Sequence, residues 1–133
     1  MHFVHRRSEA PAAIPLLFVH GFPESFIGVA HIIDALCNPI ATPPRGETDA
    51  QPFHVVAPSI PGFGFSDAVP EEGNNVQSTA HLFDALIEAL GYRQYIVHGS
   101  GWYVLNQRRI DQPHPLGSTS TSTRLPGQHA AVR

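Results

Sequence analysis

The sequence predicts an α/β fold in which about three parallel strands alternate with two clear covering helices. Three short, continuously apolar runs are typical of strands buried on both faces of a sheet. Two segments between these runs have apolar residues at helical spacing. Strands that alternate with helices pair in parallel through right-handed crossovers, so the order strand–helix–strand–helix–strand predicts a parallel sheet.

The first strand is predicted at Ala13–His20, and the first helix follows from Ser25, a residue type that caps helix N-termini. Cys37 lies on the apolar side of this helical pattern, so we interpret it as a small core residue and not as a nucleophile. As the single cysteine of the chain, it excludes an internal disulfide and is typical of a reducing compartment.

The second strand is predicted at Phe53–Pro58 and the second helix at Ser78–Gly91, where the glycine occupies the expected C-terminal cap. The third strand is predicted at Gln94–Gly99. After Trp102 no period is sustained, and prolines and a Ser/Thr-rich run follow. We therefore expect residues 1–102 to form a truncated domain and 103–133 to be a mostly disordered tail.

The composition excludes several classes of function. The chain has 133 residues, of which 42% are hydrophobic and 14% charged, and this predicts one globular domain. A net charge of −3 predicts no attraction to nucleic acid or to anionic membranes. The apolar runs are shorter than the ~20 residues of a membrane span, and prolines interrupt the amino-terminal stretch that could resemble a signal peptide. We expect a cytoplasmic protein.

A sharp turn is predicted at residues 20–23, "HGFP", directly after the first strand. Gly21 permits close approach of the backbone, and Pro23 fixes the bend. His20 could transfer protons here, but we interpret its side chain as a fixed support of the loop.

A second turn, "APSIPGFGFSDA", follows the second strand. Gly62 and Gly64 have the G-x-G spacing of a phosphate loop, but the third glycine of a dinucleotide fingerprint is missing. We therefore expect a structural turn and no cofactor, and we interpret Asp67 as an anchor for neighbouring backbone amides.

These two turns, together with "GYRQYIVHGSGW" at residues 91–102, resemble the α/β-hydrolase fold and specifically epoxide hydrolases of the microsomal and juvenile-hormone type. The resemblance implies hydrolysis of a small hydrophobic epoxide to a diol. An Asp in an elbow similar to G-G-D-W-G attacks the epoxide and forms an ester, which water activated by a His then cleaves. Two Tyr of a helical cap protonate the epoxide oxygen. Neither a metal nor a cofactor is implied.

By the same resemblance, the backbone N–H groups of Phe22 and Trp102 form the oxyanion hole. The nucleophile position falls on Gly101, which has no side chain and so cannot form the ester. The base, its carboxylate partner and the cap would all follow Trp102. The segment that precedes the hydrolase domain in this subfamily is also expected to be missing. The positions that support the motifs are His20, Gly21, Pro23 and Gly99.

The sequence therefore predicts an inactive fragment of an epoxide-hydrolase-like protein, with two alternatives. One is a serine esterase that uses Ser100, although the flanking His98 and Trp102 are not the small residues of a serine elbow. The other is a non-enzymatic fragment that binds an unknown protein partner through its sheet edges or the proline-rich Thr42–Gly46.

The departure from the family pattern after Trp102 has a possible origin in the gene. The codons of Trp102-Tyr103-Val104 must contain GTAYGT, which resembles a eukaryotic intron donor site. We therefore hypothesise that the sequence beyond this point is translated intron.

Overall fold

The computed structural model describes residues 1–39, 50–69 and 75–99. This part of the chain contains four strands, two α-helices and one 3₁₀ helix. In chain order they are β1 (Phe3–Arg6), β2 (Ile14–Val19), the 3₁₀ helix (Phe26–Val29), α1 (Ile33–Cys37), β3 (Phe53–Pro58), α2 (Val76–Ala89) and β4 (Ile96–Gly99).

The strands form one sheet in the order β1-β3-β2-β4, and the predicted α/β class is confirmed. The three predicted strands correspond to β2, β3 and β4, which pair in parallel. The prediction of three strands needs a correction, because β1 pairs antiparallel with β3 and makes the sheet mixed. Its four residues contain too little pattern to predict a strand, and their partners lie about fifty positions later in the sequence.

The second predicted helix is α2, and it begins earlier than expected. Asn75 is its N-cap: its side chain accepts hydrogen bonds from the N–H groups of Gln77 and Ser78, and the Ser78 hydroxyl accepts one from the Asn75 N–H. This reciprocal capping box satisfies amides that the first turn leaves unpaired. Gly91 follows the helix with φ +88°, as expected for a C-terminal glycine.

The first predicted helix is not continuous, which corrects the sequence prediction. Ser25 does cap its start, because its hydroxyl accepts a hydrogen bond of 3.3 Å from the Ile27 N–H. The segment then turns through i→i+3 bonds up to Ile32 before the short α1 begins. Gly28 and the β-branched neighbours lower the helix propensity of this stretch, so tight turns replace a regular helix.

The core lies in two layers, one on each face of the sheet. The 3₁₀ helix and α1 cover the first layer, which we call the α1 face; α2 covers the second, the α2 face. The α1 face buries Leu16, Val29, Ile33, Cys37, Val55 and Ala57. The α2 face buries Leu17, Val19, Val56, Ile60, Phe83, Ile87, Tyr95 and Val97. Alternate residues of β2 and β3 enter opposite layers, as the period of two in a strand requires.

The Cys37 interpretation is confirmed, since its side chain is completely buried in the α1 face. Its thiol lies 3.6 Å from the Arg6 carbonyl oxygen, and burial raises the pKa of the thiol. Such a thiol is less ionised than a free one and is correspondingly less nucleophilic. The tail at 103–133 and the proline-rich Thr42–Gly46 lie outside the described residues.

Candidate functional site

The candidate site lies at the carboxyl ends of the parallel strands. After β2 the chain crosses on one side of the sheet to β3, and after β3 it returns through α2 to β4 on the other side of β2. In doubly wound sheets, ligands bind where the winding reverses in this way. Val19 of β2 is in register with Gly99 of β4, so residues 20–23 leave the sheet beside the end of β4.

His20 is buried and both of its ring nitrogens have a backbone partner. The Ile60 N–H donates to Nε2 at 3.2 Å, and Nδ1 lies 3.2 Å from the Gly21 carbonyl oxygen. Because Nε2 accepts a hydrogen bond, the ring proton is on Nδ1 and is donated to Gly21. Both ring nitrogens are thus engaged by backbone groups, and neither is left for proton transfer. This geometry agrees with the interpretation of His20 as a support of the loop.

The Gly21–Phe22 peptide unit has its orientation fixed by its carbonyl. The Gly21 carbonyl oxygen also accepts a hydrogen bond of 2.8 Å from the Glu24 N–H. In a trans peptide the C=O and N–H point in opposite directions, so two donors on the Gly21 oxygen also determine where the Phe22 N–H points. The following bond, Phe22–Pro23, is cis.

The Phe22 N–H is available to a ligand within this part of the structure. No acceptor for it is found among residues 1–39, 50–69 and 75–99. The Phe22 side chain is 77% exposed, with its ring edge-to-face against Phe63 at a centroid distance of 6.3 Å. An unpaired amide of fixed direction at the end of a strand is suited to stabilising negative charge on an oxygen.

A hydrogen-bond network that the sequence interpretation missed lies directly beneath this loop, between His2, Ser59 and Ser66. His2 Nδ1 is 2.8 Å from Ser59 Oγ, and the Ser59 N–H donates to the His2 carbonyl at 2.9 Å. The His2 N–H donates to Ser66 Oγ at 3.0 Å, and that hydroxyl donates to the Ser59 carbonyl at 2.8 Å. No motif signals these contacts, which join residues 57 and 64 positions apart.

The contact between Ser59 and His2 resembles a nucleophile with its base, but its burial excludes that role. The Ser59 side chain has no exposed surface, and a substrate could not reach its hydroxyl. A Cβ at Gly64, where φ is +57°, would come within 3.0 Å of Ser59 Oγ. The glycine therefore lets the turn close over the serine, and the interpretation of "PGFGFSD" as a structural turn fits this packing.

The interpretation of Asp67 needs a correction. The Gly62 N–H donates at 3.2 Å to the backbone carbonyl of Asp67, not to its carboxylate. Asp67 itself is exposed, and no hydrogen bond of its carboxylate is found in the described ranges. The turn is closed by backbone groups, which any residue type at position 67 could supply.

The remaining predicted site residues fall at or beyond the end of the described chain. Gly99 is the last residue of β4, whereas Ser100, Gly101 and Trp102 lie outside the described residues, so their assigned roles stay predictions. His98 is exposed on β4, with its ring centroid 4.9 Å from that of Phe18 on β2.

A second cluster of polar rings lies towards the amino ends of the parallel strands, away from the candidate site. His5 Nε2 is 3.0 Å from the Tyr92 hydroxyl, and His54 stacks on the same ring at a centroid distance of 5.8 Å. The Arg7 guanidinium lies 6.0 Å from that centroid. Burial, helped by the nearby positive charge of Arg7 and by His54, lowers the pKa of His5.

Among residues 1–39, 50–69 and 75–99, no three His, Cys, Asp or Glu side chains are grouped to hold a metal ion. No helix in these ranges is both long and apolar enough to cross a membrane.

The chain is similar to epoxide hydrolases in sequence. Residues 1–29 match the family described as Epoxide hydrolase N terminus. Epoxide hydrolase 1 of Oryctolagus cuniculus is 38% identical over 124 residues, which cover 88% of this chain and 27% of that protein. Juvenile hormone epoxide hydrolase 2 of Ctenocephalides felis is 33% identical over 105 residues, covering 77% of this chain and 21% of that protein. The chain thus spans about a quarter or less of these curated relatives.

The match over residues 1–29 corrects one expectation. The segment that precedes the hydrolase domain was expected to be missing, but part of the amino-terminal family region is present here. It includes β1, which explains why an additional strand stands before the predicted ones.

The chain is similar in fold to the crystal structure of juvenile hormone epoxide hydrolase from the silkworm Bombyx mori. It superposes with a TM-score of 0.70 at 29% identity, covering 94% of this chain and 30% of the other. The sequence matches and the superposition agree: the chain has a partial α/β-hydrolase fold and is similar in sequence to epoxide hydrolases of the microsomal and juvenile-hormone type.

Proposed function

We propose that this chain carries the oxyanion side of an epoxide hydrolase site and does not itself hydrolyse epoxides. One observation carries the proposal: position 101, where the family pattern places the nucleophilic Asp, is glycine. The register of β2 and β4 supports the assignment, because it ends β4 at Gly99 beside the loop that presents the Phe22 N–H. Position 101 is therefore two residues from the sheet edge where the nucleophile is needed.

The family reaction explains why the Phe22 amide alone is not sufficient. In the first step a carboxylate oxygen bonds to an epoxide carbon, the carbon–oxygen bond of the ring breaks, and the released oxygen takes a proton. Water then adds to the ester carbonyl, and negative charge develops on its oxygen. The Phe22 N–H is suited to that second step. Without a carboxylate at position 101 there is no ester for it to act on.

The direct test is hydrolysis of styrene oxide by the purified chain. We expect no diol above the rate in buffer. Diol formation that survives Ser100→Ala would contradict the proposal. Labelling by a fluorophosphonate probe that disappears in Ser100→Ala would instead favour the serine esterase.

A restored nucleophile gives the converse test. Gly101→Asp should acquire one covalent styrene oxide equivalent in intact-mass measurement, because the carboxylate can form the ester while no base is present to cleave it. Gly101→Asn is the matched control, since its amide is similar in size but is not a carboxylate nucleophile. Equal adduct yields in folded Gly101→Asp and Gly101→Asn would contradict the assignment of position 101, because adduct formation would then not depend on the carboxylate.

We also propose that the chain is truncated relative to a functional parent protein, because the family pattern stops at Trp102. Sequencing of the transcript tests this proposal. A spliced form should continue after Trp102 with a small residue and a helical pattern. Transcripts that read through to Arg133 alone would contradict it.

A further inference from the structure

The loop at residues 20–23 is connected to the "PGFGFSD" turn through a second peptide unit, Ser59–Ile60. The carbonyl of this unit accepts the Ser66 hydroxyl at 2.8 Å, and its N–H donates to His20 Nε2 at 3.2 Å. The two poles of one rigid, planar group are thus held by Ser66 on one side and by His20 on the other.

We propose that Ser66 is a positioning residue for the Phe22 amide. Its hydroxyl holds the Ser59 carbonyl and so directs the Ile60 N–H at the His20 ring. That ring in turn donates to the Gly21 carbonyl, the opposite pole of the Gly21–Phe22 peptide. Two peptide planes with one imidazole between them therefore transmit the position of Ser66 to the amide. The proposal rests on the proposed function only in assigning the Phe22 amide to an oxyanion.

The amino terminus holds Ser66 in this position. The His2 N–H donates to Ser66 Oγ at 3.0 Å, so the hydroxyl proton is left for the Ser59 carbonyl. The His2 ring packs edge-to-face against Phe26 and Phe65, with centroid distances of 4.5 and 5.2 Å. Ser59 and Ser66 are buried, so water does not readily replace these bonds. The three hydrogen bonds that lead from Ser66 to Gly21 are buried, whereas the Phe22 N–H is offered to a ligand.

The test compares two serines of equal burial. Ser66 and Ser8 are each 8% exposed, but the Ser8 hydroxyl accepts only from the nearby Ala10 N–H at 3.1 Å, at the other end of the sheet. In Ser66→Ala we expect hydrogen exchange at the Ile60 amide to accelerate at least tenfold relative to the Ile87 amide in α2. We also expect the ¹⁵N chemical shifts of the His20 ring to change from the values of the Nδ1–H tautomer. Ser8→Ala should change neither, and Ser66→Thr, which keeps the hydroxyl, should restore both.

The result that would overturn the proposal is an unchanged His20 tautomer and an Ile60/Ile87 exchange ratio that is the same in Ser66→Ala and Ser8→Ala. A general loss of stability accelerates all amides together and leaves that ratio unaltered. Should Ser66→Ala fail to fold, Ser66→Cys carries the same test, because a thiol of similar shape is a much weaker donor.

A reactivity measurement tests the consequence for the amide itself. In the Gly101→Asp background, hydroxylamine should cleave the styrene oxide ester roughly tenfold more slowly when Ser66 is Ala, a part of the ~10²–10³ that loss of a whole oxyanion donor costs. Equal cleavage rates would contradict positioning of the amide. If Gly101→Asp forms no ester, the exchange and tautomer measurements still decide the proposal, since they need no adduct.

Discussion

The two faces of the sheet bury apolar layers of similar kind under very different helices. The α2 face is covered by one helix of 14 residues with a capping box at its start and a glycine after its end. The α1 face is covered by a 3₁₀ helix of four residues and an α-helix of five, and the latter has no side-chain cap at Ile32. Apolar spacing thus determines which side chains are buried, whereas caps and propensity decide whether the helix is continuous.

The largest expected effect is the loss of stability when a core side chain is truncated, which we expect to be greater under the continuous helix α2 than under α1. Ile87→Ala should lower the free energy of unfolding by about 2–5 kcal/mol, because the side chain is fully buried under α2 and its removal leaves a cavity. Ile33→Ala should cost less, because this residue is 8% exposed and begins a short helix that can shift to fill the space. Urea denaturation measures both.

Ile32→Ala is the control for this comparison, because its side chain is 42% exposed and its loss should stay within about 0.5 kcal/mol. A greater loss for Ile33→Ala than for Ile87→Ala would show that the broken segment is the stronger anchor, contrary to the comparison.

An intermediate effect is expected at the caps. Asn75→Ala should lower the unfolding free energy by about 1 kcal/mol, since it leaves the amides of Gln77 and Ser78 without their acceptor. Ser25→Ala should cost less, because it removes one exposed bond of 3.3 Å. Equal losses at the two caps, measured by thermal melting, would remove the distinction drawn between the two segments.

The smallest expected effect is a difference in the pH response of the two faces. His5 contacts Tyr92, which packs against the α2 face, and its pKa is lowered in the fold. Because the folded protein favours the neutral ring, His5 contributes stability that is fully present above the unfolded pKa of 6.5. This stability is lost as the pH falls from 6.5 towards the lower pKa of the folded state. Cys37, on the α1 face, has a raised pKa and contributes stability that is lost as pH rises above 9.0.

His5→Gln tests the acid side of this response. Glutamine can place a hydrogen-bonding group near the position of Nε2 but does not titrate, so the loss of stability below pH 6.5 should become shallower. His81→Gln, which changes an exposed side chain of α2, is the control. An unchanged pH profile in His5→Gln would place the acid sensitivity elsewhere.

The sequence was most informative where a local pattern determines structure. Phe53–Pro58 is predicted with the bounds of β3, because a short, largely apolar run stands there between turn residues. The turn at residues 20–23 also follows from local chemistry, because a glycine and a proline end the apolar run of β2. By contrast, β1 and the network around Ser66 depend on partners more than forty positions away, and no spacing within either segment indicates such partners.

The central place of β2 has a consequence for the order in which the chain can assemble. Leu16 pairs with Ile96, so one side of this strand stays without its partner until the residues about 80 positions later have been synthesised. Closing so long a loop is slow compared with forming a helix or a hairpin. On the ribosome, the first strand of the parallel set is therefore the last to be enclosed, and a chaperone has its longest opportunity to bind there.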